Sequence, residues 1–183
     1  MKKQMALWMT LAATTLALAS PGMELKSGDL KEGQTVADEQ LFNGFGYTGK
    51  NVSPELHWTK GPAGTQSYAL MMYDPDAPTG SGWWHWVVFN IPADWTSLPK
   101  GFGGKNAKKS APAVQSRTDF GVPGYGGPAP PPGKPHHYIF TIYALKVKSL
   151  PLKKDSSAAM VGFYANQNKL DSATLTVLYG KEK

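Results

Sequence analysis

Ionisable side chains stand beside prolines and aromatic rings in three segments of the sequence. Asp74 and Asp76 are two residues apart and alternate with prolines, which fix φ and remove backbone donors. His85 lies in the aromatic run 83–86, and residues 136–138 read His-His-Tyr after a stretch rich in Gly and Pro. Carboxylates and imidazoles held this rigidly near large apolar rings predict a pre-shaped polar pocket rather than a solvated loop.

The two carboxylates should differ in role. Side chains alternate along an extended segment, so one of Asp74 and Asp76 should face the pocket. The other would accept hydrogen bonds from backbone amides of the turn. Asp74 directly follows an apolar run, which favours it for the pocket, whereas Asp76 is equally suited to capping. A tight Asp-Pro-Asp turn would let both face inward.

The four histidines differ in whether they can face the pocket. His85 lies within an apolar run, where a core role is at least as common as a ligand role, and both stay open. His136 and His137 are adjacent, so in a strand they face opposite sides and at most one joins His85. His57 is interpreted as a structural residue.

The sequence gives little support for a metal site or for nucleophilic catalysis. Two His and one Asp could bind a divalent ion, yet no His-x-His or His-x-x-x-His spacing is present. The chain has no cysteine and no Gly-x-Ser-x-Gly elbow. We therefore predict no metal, no other cofactor and no catalytic nucleophile.

The Gly/Pro-rich stretch 121–135 indicates a more specific chemistry. Backbone amides of Gly126, Gly127 and Ala129 would form an anion-binding concavity if they are free. Imidazoles at its edge would complete a site for a phosphate-like oxyanion. Such a ligand should bind more tightly below about pH 6.5, where histidine gains a proton.

Short apolar runs between turn residues predict the strands that position these groups. Strands are expected over residues 68–73, 84–91, 138–145 and 173–179, with an opening strand at 23–27. One helix is predicted over 157–170, with Asp155 and Ser156 as candidate caps and with Met160, Val161, Tyr164 and Leu170 at helical spacing. Residues 98–109 are predicted to form a surface loop.

The N-terminus predicts export. Lys2 and Lys3 precede an apolar run, 5–19, that ends in Ala-Leu-Ala, as in a signal peptide cleaved after Ala19. That run is shorter than the ~20 residues of a spanning helix. We expect a periplasmic or secreted single domain, residues 20–183, with no integral membrane segment.

The charge distribution narrows the choice of partners. The 183 residues carry a formal net charge of +6, and most lysines are scattered along the chain. Scattered lysines are typical of a solvated surface, so nucleic-acid binding is not predicted. Weak attraction to anionic phospholipid head groups stays open.

Taken together, these segments resemble the phosphatidylethanolamine-binding protein family, also called Raf kinase inhibitor-like proteins, and in particular its exported bacterial branch. The resemblance is an ordered series that covers nearly the whole mature chain. The matching segments are residues 51–58 (Asn-Val-Ser-Pro-Glu-Leu-His-Trp), 73–78 (Tyr-Asp-Pro-Asp-Ala-Pro), 84–86 (Trp-His-Trp), 90–92, 119–121, 124–128, 130–138, 143–145 and 162–169.

The resemblance implies a mainly β fold, an antiparallel β-sandwich with Greek-key-like connections, long Gly/Pro loops and a C-terminal helix. It also implies a small pocket for phosphate-like anions or a phosphoethanolamine head group, too small for acyl chains. The candidate ligand-binding residues are Asp74, Asp76, His85, Gly127, Pro128, Ala129, Pro130, His136 and Tyr138.

Two positions depart from the family pattern. His137 stands where the family usually has Arg, which removes a fixed charge near the pocket. Ala129 stands where many bacterial members have Cys, which removes a thiol but keeps the loop backbone.

Three functions follow as hypotheses. The first is a non-enzymatic binding module, in which an imidazole donates to the oxyanion and Asp74 pairs with an amine or orients an imidazole. The second is an inhibitor of a protease or signalling enzyme that acts through loops 44–50 and 98–110. The third is a weak hydrolase with Asp74 and His136 as its acid–base pair.

Overall fold

The structure is a computed structural model that describes residues 22–104 and 111–182. The predicted signal peptide, residues 1–19, lies outside the described residues. Ten strands and one helix follow in chain order: β1 (Leu25–Lys26), β2 (Asn43–Gly44), β3 (Tyr47–Thr48), β4 (Leu56–Trp58), β5 (Ser67–Asp74), β6 (Trp83–Pro92), β7 (Ser97–Leu98), β8 (Val114–Gln115), β9 (His136–Leu145), α1 (Ala158–Asn168) and β10 (Lys169–Tyr179).

The strands form three antiparallel sheets. The main sheet has five strands in the order β10-β9-β5-β6-β8, a smaller sheet has the order β1-β4-β7, and β2 and β3 form a hairpin. The predicted mainly β, antiparallel fold with a C-terminal helix is confirmed.

The main sheet is buried on both faces, which explains the unbroken apolar run of β5. Tyr68, Leu70 and Met72 pack in a core shared with the small sheet, while Ala69 and Met71 pack in a second core beneath α1. A strand that buries both faces cannot show polar alternation, so its sequence reads as continuously apolar.

The helix is shorter than predicted. Ser157 caps α1 by accepting a hydrogen bond from the Met160 amide at 3.2 Å. The chain turns extended at Lys169 because residues from there onward pair with β9. Leu170 therefore belongs to a strand, and Met160 is 47% exposed, so neither belongs to a buried helix face. The buried residues of α1 are Ala158, Val161, Gly162 and Ala165.

The predicted surface loop at 98–109 is only partly a surface feature. Leu98 ends β7 with its side chain fully buried, and Phe102 is 8% exposed. Both contribute to the core beneath the small sheet. Residues 105–110 lie outside the described ranges.

Candidate ligand-binding site

Three strand ends meet at one edge of the main sheet. Because β5 runs antiparallel to both neighbours, its last residue, Asp74, lies beside the first residues of β6 and β9. A cavity of about 150 Å³ opens at this edge. Its lining consists of Phe45, Asp74, Ala77, Pro78, Thr79, Trp83, His85, Phe120, Ala129, Pro130, Pro131, His136 and Tyr138.

Asp74 and His136 form a buried pair on this lining. The His136 Nδ1 atom donates to Asp74 Oδ2 at 2.8 Å, and the side chains are 10% and 4% exposed for His136 and Asp74. The other carboxylate oxygen, Asp74 Oδ1, accepts from the Asp76 amide at 2.8 Å. Asp74 thus serves both of the roles that sequence reasoning divided between two aspartates: it lines the cavity and it caps the turn.

Asp76, predicted as a ligand-binding residue, does not line the cavity. Its Oδ2 atom accepts from the His137 amide at 2.7 Å and from His137 Nδ1 at 2.8 Å. These hydrogen bonds hold the pKa of Asp76 below its usual value, first through the backbone amide and then through the imidazole. Because side chains alternate along a strand, His137 lies on the face of β9 opposite to His136 and the cavity. Asp76 therefore joins the turn to β9 on the side away from the cavity.

A β-bulge directs His85 into the cavity. In the β5–β6 pairing, Met72 lies opposite Trp86 and Tyr73 lies opposite Trp84, so His85 is the extra residue. Regular alternation would place His85 on the α1 face with Val87, but a bulge turns the inserted residue out of that sequence. His85 lines the cavity, with its ring edge-to-face against Tyr138 at 5.1 Å between centroids.

His85 is a neutral imidazole at physiological pH. It is 3% exposed, and burial lowers its pKa from 6.5 to about 4. Its Nδ1 atom lies 2.8 Å from the Gly126 carbonyl, which can only accept, so Nδ1 carries the proton. The Nε2 atom is then a hydrogen-bond acceptor.

Two buried donors on the lining lack a partner among the described residues. They are the Tyr138 hydroxyl and the Trp83 indole Nε1. Burial, followed by the charge of Asp74, raises the pKa of Tyr138 above its usual range, so the hydroxyl keeps its proton. An unpaired buried donor costs about 1–3 kcal/mol unless a ligand or water accepts from it.

Two of the three loop amides that were predicted to bind an anion, those of Gly126 and Gly127, donate hydrogen bonds within the protein. The Gly126 amide donates to the His85 carbonyl at 2.9 Å, and the Gly127 amide donates to Asn51 Oδ1 at 2.8 Å. Neither amide is free for an anion, and neither Gly127 nor Pro128 lines the cavity, whereas Ala129 and Pro130 do.

The loop glycines are required for close packing instead. A Cβ atom at Gly127 would overlap the Gln40 carbonyl oxygen, and one at Gly126 would overlap the Phe120 ring. Bare backbone at these two positions lets the loop approach both neighbours and brings Ala129 and Pro130 to the cavity wall.

The remaining candidates lie elsewhere. His57 is exposed, pairs with Glu55 at 2.9 Å and does not line the cavity. Within residues 22–104 and 111–182, no three His, Asp or Glu side chains come close enough together to hold a metal ion. Among the same residues, no helix combines the length and apolar character needed to cross a bilayer.

Sequence reasoning did not assign Phe45, Trp83 or Phe120 to the site. Trp83 stood in the aromatic run next to His85, which was a usable signal. Phe45 stands between two glycines, a turn context in which a large aromatic residue is unusual. Phe120 gave no local signal, because only the fold brings it near His85.

Comparison with known proteins identifies the family. The family model for phosphatidylethanolamine-binding proteins matches residues 27–180, and the chain belongs to that family. YbhB of Escherichia coli K12 is 49% identical over 157 residues, which cover 86% of this chain and 99% of YbhB. YbcL of the same strain is 46% identical over 171 residues, which cover 92% of this chain and 93% of YbcL.

Solved structures agree with this assignment. The crystal structure of Escherichia coli YbcL, described as a new member of the mammalian PEBP family, superposes with a TM-score of 0.86 and covers 88% of this chain and 100% of YbcL. A PEBP homologue from Chlamydia trachomatis, 26% identical, gives a TM-score of 0.74, covering 89% of this chain and 100% of that protein.

Proposed function

We propose that this protein is an exported, non-enzymatic binding protein whose cavity takes a phosphate-like oxyanion. The observation that carries the proposal is a pair of buried donors, Tyr138 Oη and Trp83 Nε1, that have no partner among residues 22–104 and 111–182 and lie on the lining that also holds two imidazoles. Oxyanions accept several hydrogen bonds at once, and their charge strengthens each of them.

The size of the cavity supports a small ligand. Sites for drug-sized molecules measure about 300–1,000 Å³, and this cavity measures about 150 Å³. A tetrahedral oxyanion with a short substituent matches that volume, whereas the acyl chains of a phospholipid do not.

The two imidazoles take opposite roles. Asp74 holds Nδ1 of His136, so a proton on Nε2 would make His136 a cationic donor to the ligand. Neutral His85 offers Nε2 as an acceptor, which suits an oxyanion that still carries a hydrogen. Hydrogen phosphate and protonated phosphate monoesters carry one, and sulfate does not. We therefore expect phosphate to bind more tightly than sulfate.

Asp74 orients an imidazole rather than pairing with a ligand amine. Both of its oxygens already accept hydrogen bonds within the protein, and the side chain is 4% exposed. Among the described residues, Asp74 carries the one carboxylate on the lining. Recognition of phosphoethanolamine would therefore rest on its phosphate group.

Thermal unfolding of residues 20–183 with phosphate or sulfate tests this function. Phosphate should raise Tm in a concentration-dependent manner, and sulfate should raise it less, because only a ligand that binds the folded state stabilises it. His136→Ala should abolish the response, and the exposed His57→Ala should retain it. Phosphate stabilisation that persists in His136→Ala would rule out the cavity as the site.

An esterase assay separates binding from catalysis. Hydrolysis of an activated ester by the wild-type protein that is lost in His136→Ala would establish the weak hydrolase in place of the binding protein. We expect no difference from buffer. Export is tested by expressing the full chain in bacteria: periplasmic protein beginning at Ser20 supports it, and uncleaved cytoplasmic protein contradicts it.

A further inference from the structure

An exposed aromatic side chain stands at the mouth of the cavity on a backbone that does not favour it. Phe45 and Gly46 form the two-residue turn of the β2–β3 hairpin, with φ of 53° and 82°. Positive φ at both positions is typical of a type I′ turn, where Asn and Gly are preferred. Phenylalanine is strained there, and its side chain is 71% exposed, so burial offsets little of the cost.

The Phe45 ring is nevertheless held in a defined place. It lies 5.4 Å from the Phe42 ring and 5.9 Å from the Phe120 ring, and Phe42 and Phe120 stack at 4.4 Å between centroids. The Tyr47 hydroxyl donates to the Pro130 carbonyl at 2.6 Å, which fastens the hairpin to the cavity wall. We call Phe42, Phe45 and Phe120 the aromatic rim.

The aromatic rim joins the cavity to a second space. Phe45 and Phe120 line both the cavity and an adjacent groove of about 530 Å³. Trp83, which supplies an unpaired donor to the cavity, packs edge-to-face on Phe120 at 5.4 Å. A ligand whose anionic group accepts from that donor would thus extend its substituent across the rim into the groove.

We propose that the ligand class of this site is a phosphate monoester with a planar aromatic substituent, the phosphoryl group in the cavity and the ring against the aromatic rim. The inference rests on the proposed function. Aromatic pairs gain binding free energy beyond that of the apolar area that they bury. That gain gives a reason for an exposed phenylalanine to occupy a strained turn.

An ammonium substituent fits the rim less well. Recognition of such cations uses rings whose faces surround the charge. Here Phe120 stacks on both neighbours, with interplanar angles of 30° and 20°, so the three rings lie nearly parallel and do not surround a cation. In the part of the chain that the structure describes, the one carboxylate on the cavity lining, Asp74, already accepts hydrogen bonds with both oxygens and does not supply the missing attraction.

Calorimetric titration with phenyl phosphate, phosphoethanolamine and inorganic phosphate tests the inference. We expect phenyl phosphate to bind about tenfold more tightly than phosphoethanolamine, in line with the aromatic gain above. Phe45→Asn should remove that preference by weakening the binding of phenyl phosphate more than that of inorganic phosphate, and it should leave Tm equal or higher, because Asn suits the turn. The matched control is Phe163→Asn, since Phe163 is 56% exposed on α1, outside both cavities.

The outcomes are separable. Equal affinities, tighter binding of phosphoethanolamine, or a preference that survives Phe45→Asn would each overturn the aromatic ligand class while inorganic phosphate still binds. Failure of the wild-type protein to bind inorganic phosphate and phenyl phosphate would overturn the proposed function and this inference together.

Discussion

Two Asp–His pairs join the turn after β5 to the start of β9, and they differ mainly in burial. Asp74–His136 and Asp76–His137 each join a carboxylate Oδ2 to an imidazole Nδ1 at 2.8 Å. The side chains of the inner pair are at most 10% exposed, whereas those of the outer pair are 41% and 55% exposed. The same hydrogen bond, at the same distance, thus lies in two environments, one buried in the protein and one exposed to water.

The difference shows why residue types alone do not identify a site. Water screens the outer pair and solvates either partner if the other leaves, so that pair contributes little to stability. Removal of one inner partner leaves a buried polar group with nothing to replace its hydrogen bond. The inner pair can therefore hold an imidazole in one orientation, and the outer pair serves only to join the turn to β9.

The largest expected effect is on the inner pair. Asp74→Ala leaves the Asp76 amide and the His136 ring without their acceptor. We expect the free energy of unfolding to fall by about 3 kcal/mol, since each orphaned group costs about 1–3 kcal/mol. Urea unfolding at pH 7 measures it. A loss no greater than that of Asp76→Ala would break the comparison.

His85, the other buried histidine of the described residues, is hydrogen-bonded to a carbonyl rather than to a carboxylate, and it sharpens the comparison through pH. Burial lowers its pKa to about 4, so between about pH 6.5 and 4 the unfolded chain binds the proton first. The contribution of neutral His85 to the free energy of unfolding is complete above pH 6.5. It is lost as the pH falls toward 4, and the loss amounts to about 2–3 kcal/mol at 1.36 kcal/mol per pKa unit. Urea unfolding across this range should show a slope that His85→Gln removes. An unchanged slope would show that His85 is protonated in the folded state.

The Tyr138 hydroxyl has no partner among the described residues, so its removal should change ligand affinity rather than stability. Tyr138→Phe removes a buried donor but no internal hydrogen bond. We expect phosphate to bind about tenfold more weakly, the equivalent of about 1.4 kcal/mol, with Tm unchanged or slightly higher. Titration calorimetry together with thermal unfolding measures both. A large fall in Tm with unaltered affinity would make the hydroxyl structural.

The smallest expected effect is on the outer pair. Asp76→Ala should cost about 0.5 kcal/mol at pH 7, within the range of exposed ion pairs. The lowered pKa of Asp76 means that this contribution exists above about pH 3.8 and is lost as the pH falls below it. The wild-type and mutant unfolding curves should therefore converge at pH 2. A cost that equals that of Asp74→Ala would contradict the assigned difference in burial.

Sequence predicted much of the fold because the strands carry long apolar runs between turn residues. It also predicted that Asp74, His85, His136 and Tyr138 share a pocket, and all four lie on one cavity lining. It could not place Asp76, because turn tightness decides whether neighbouring carboxylates share a face. The Gly126 and Gly127 amides of the loop donate to the His85 carbonyl and to Asn51, and only the tertiary fold brings these acceptors near.

The bulge in β6 was equally hidden, since one inserted residue leaves the apolar pattern on either side intact. The consequence of the bulge concerns how mutation can change the cavity. Loss of the single codon for His85 would let Trp84 and Trp86 alternate regularly on their present faces, at the cost of the two hydrogen bonds that His85 makes with Gly126. The apolar pattern of β6 would stay intact, and the cavity would lose one imidazole in one step. A single insertion or deletion in β6 can thus add or remove an ionisable group at the cavity lining.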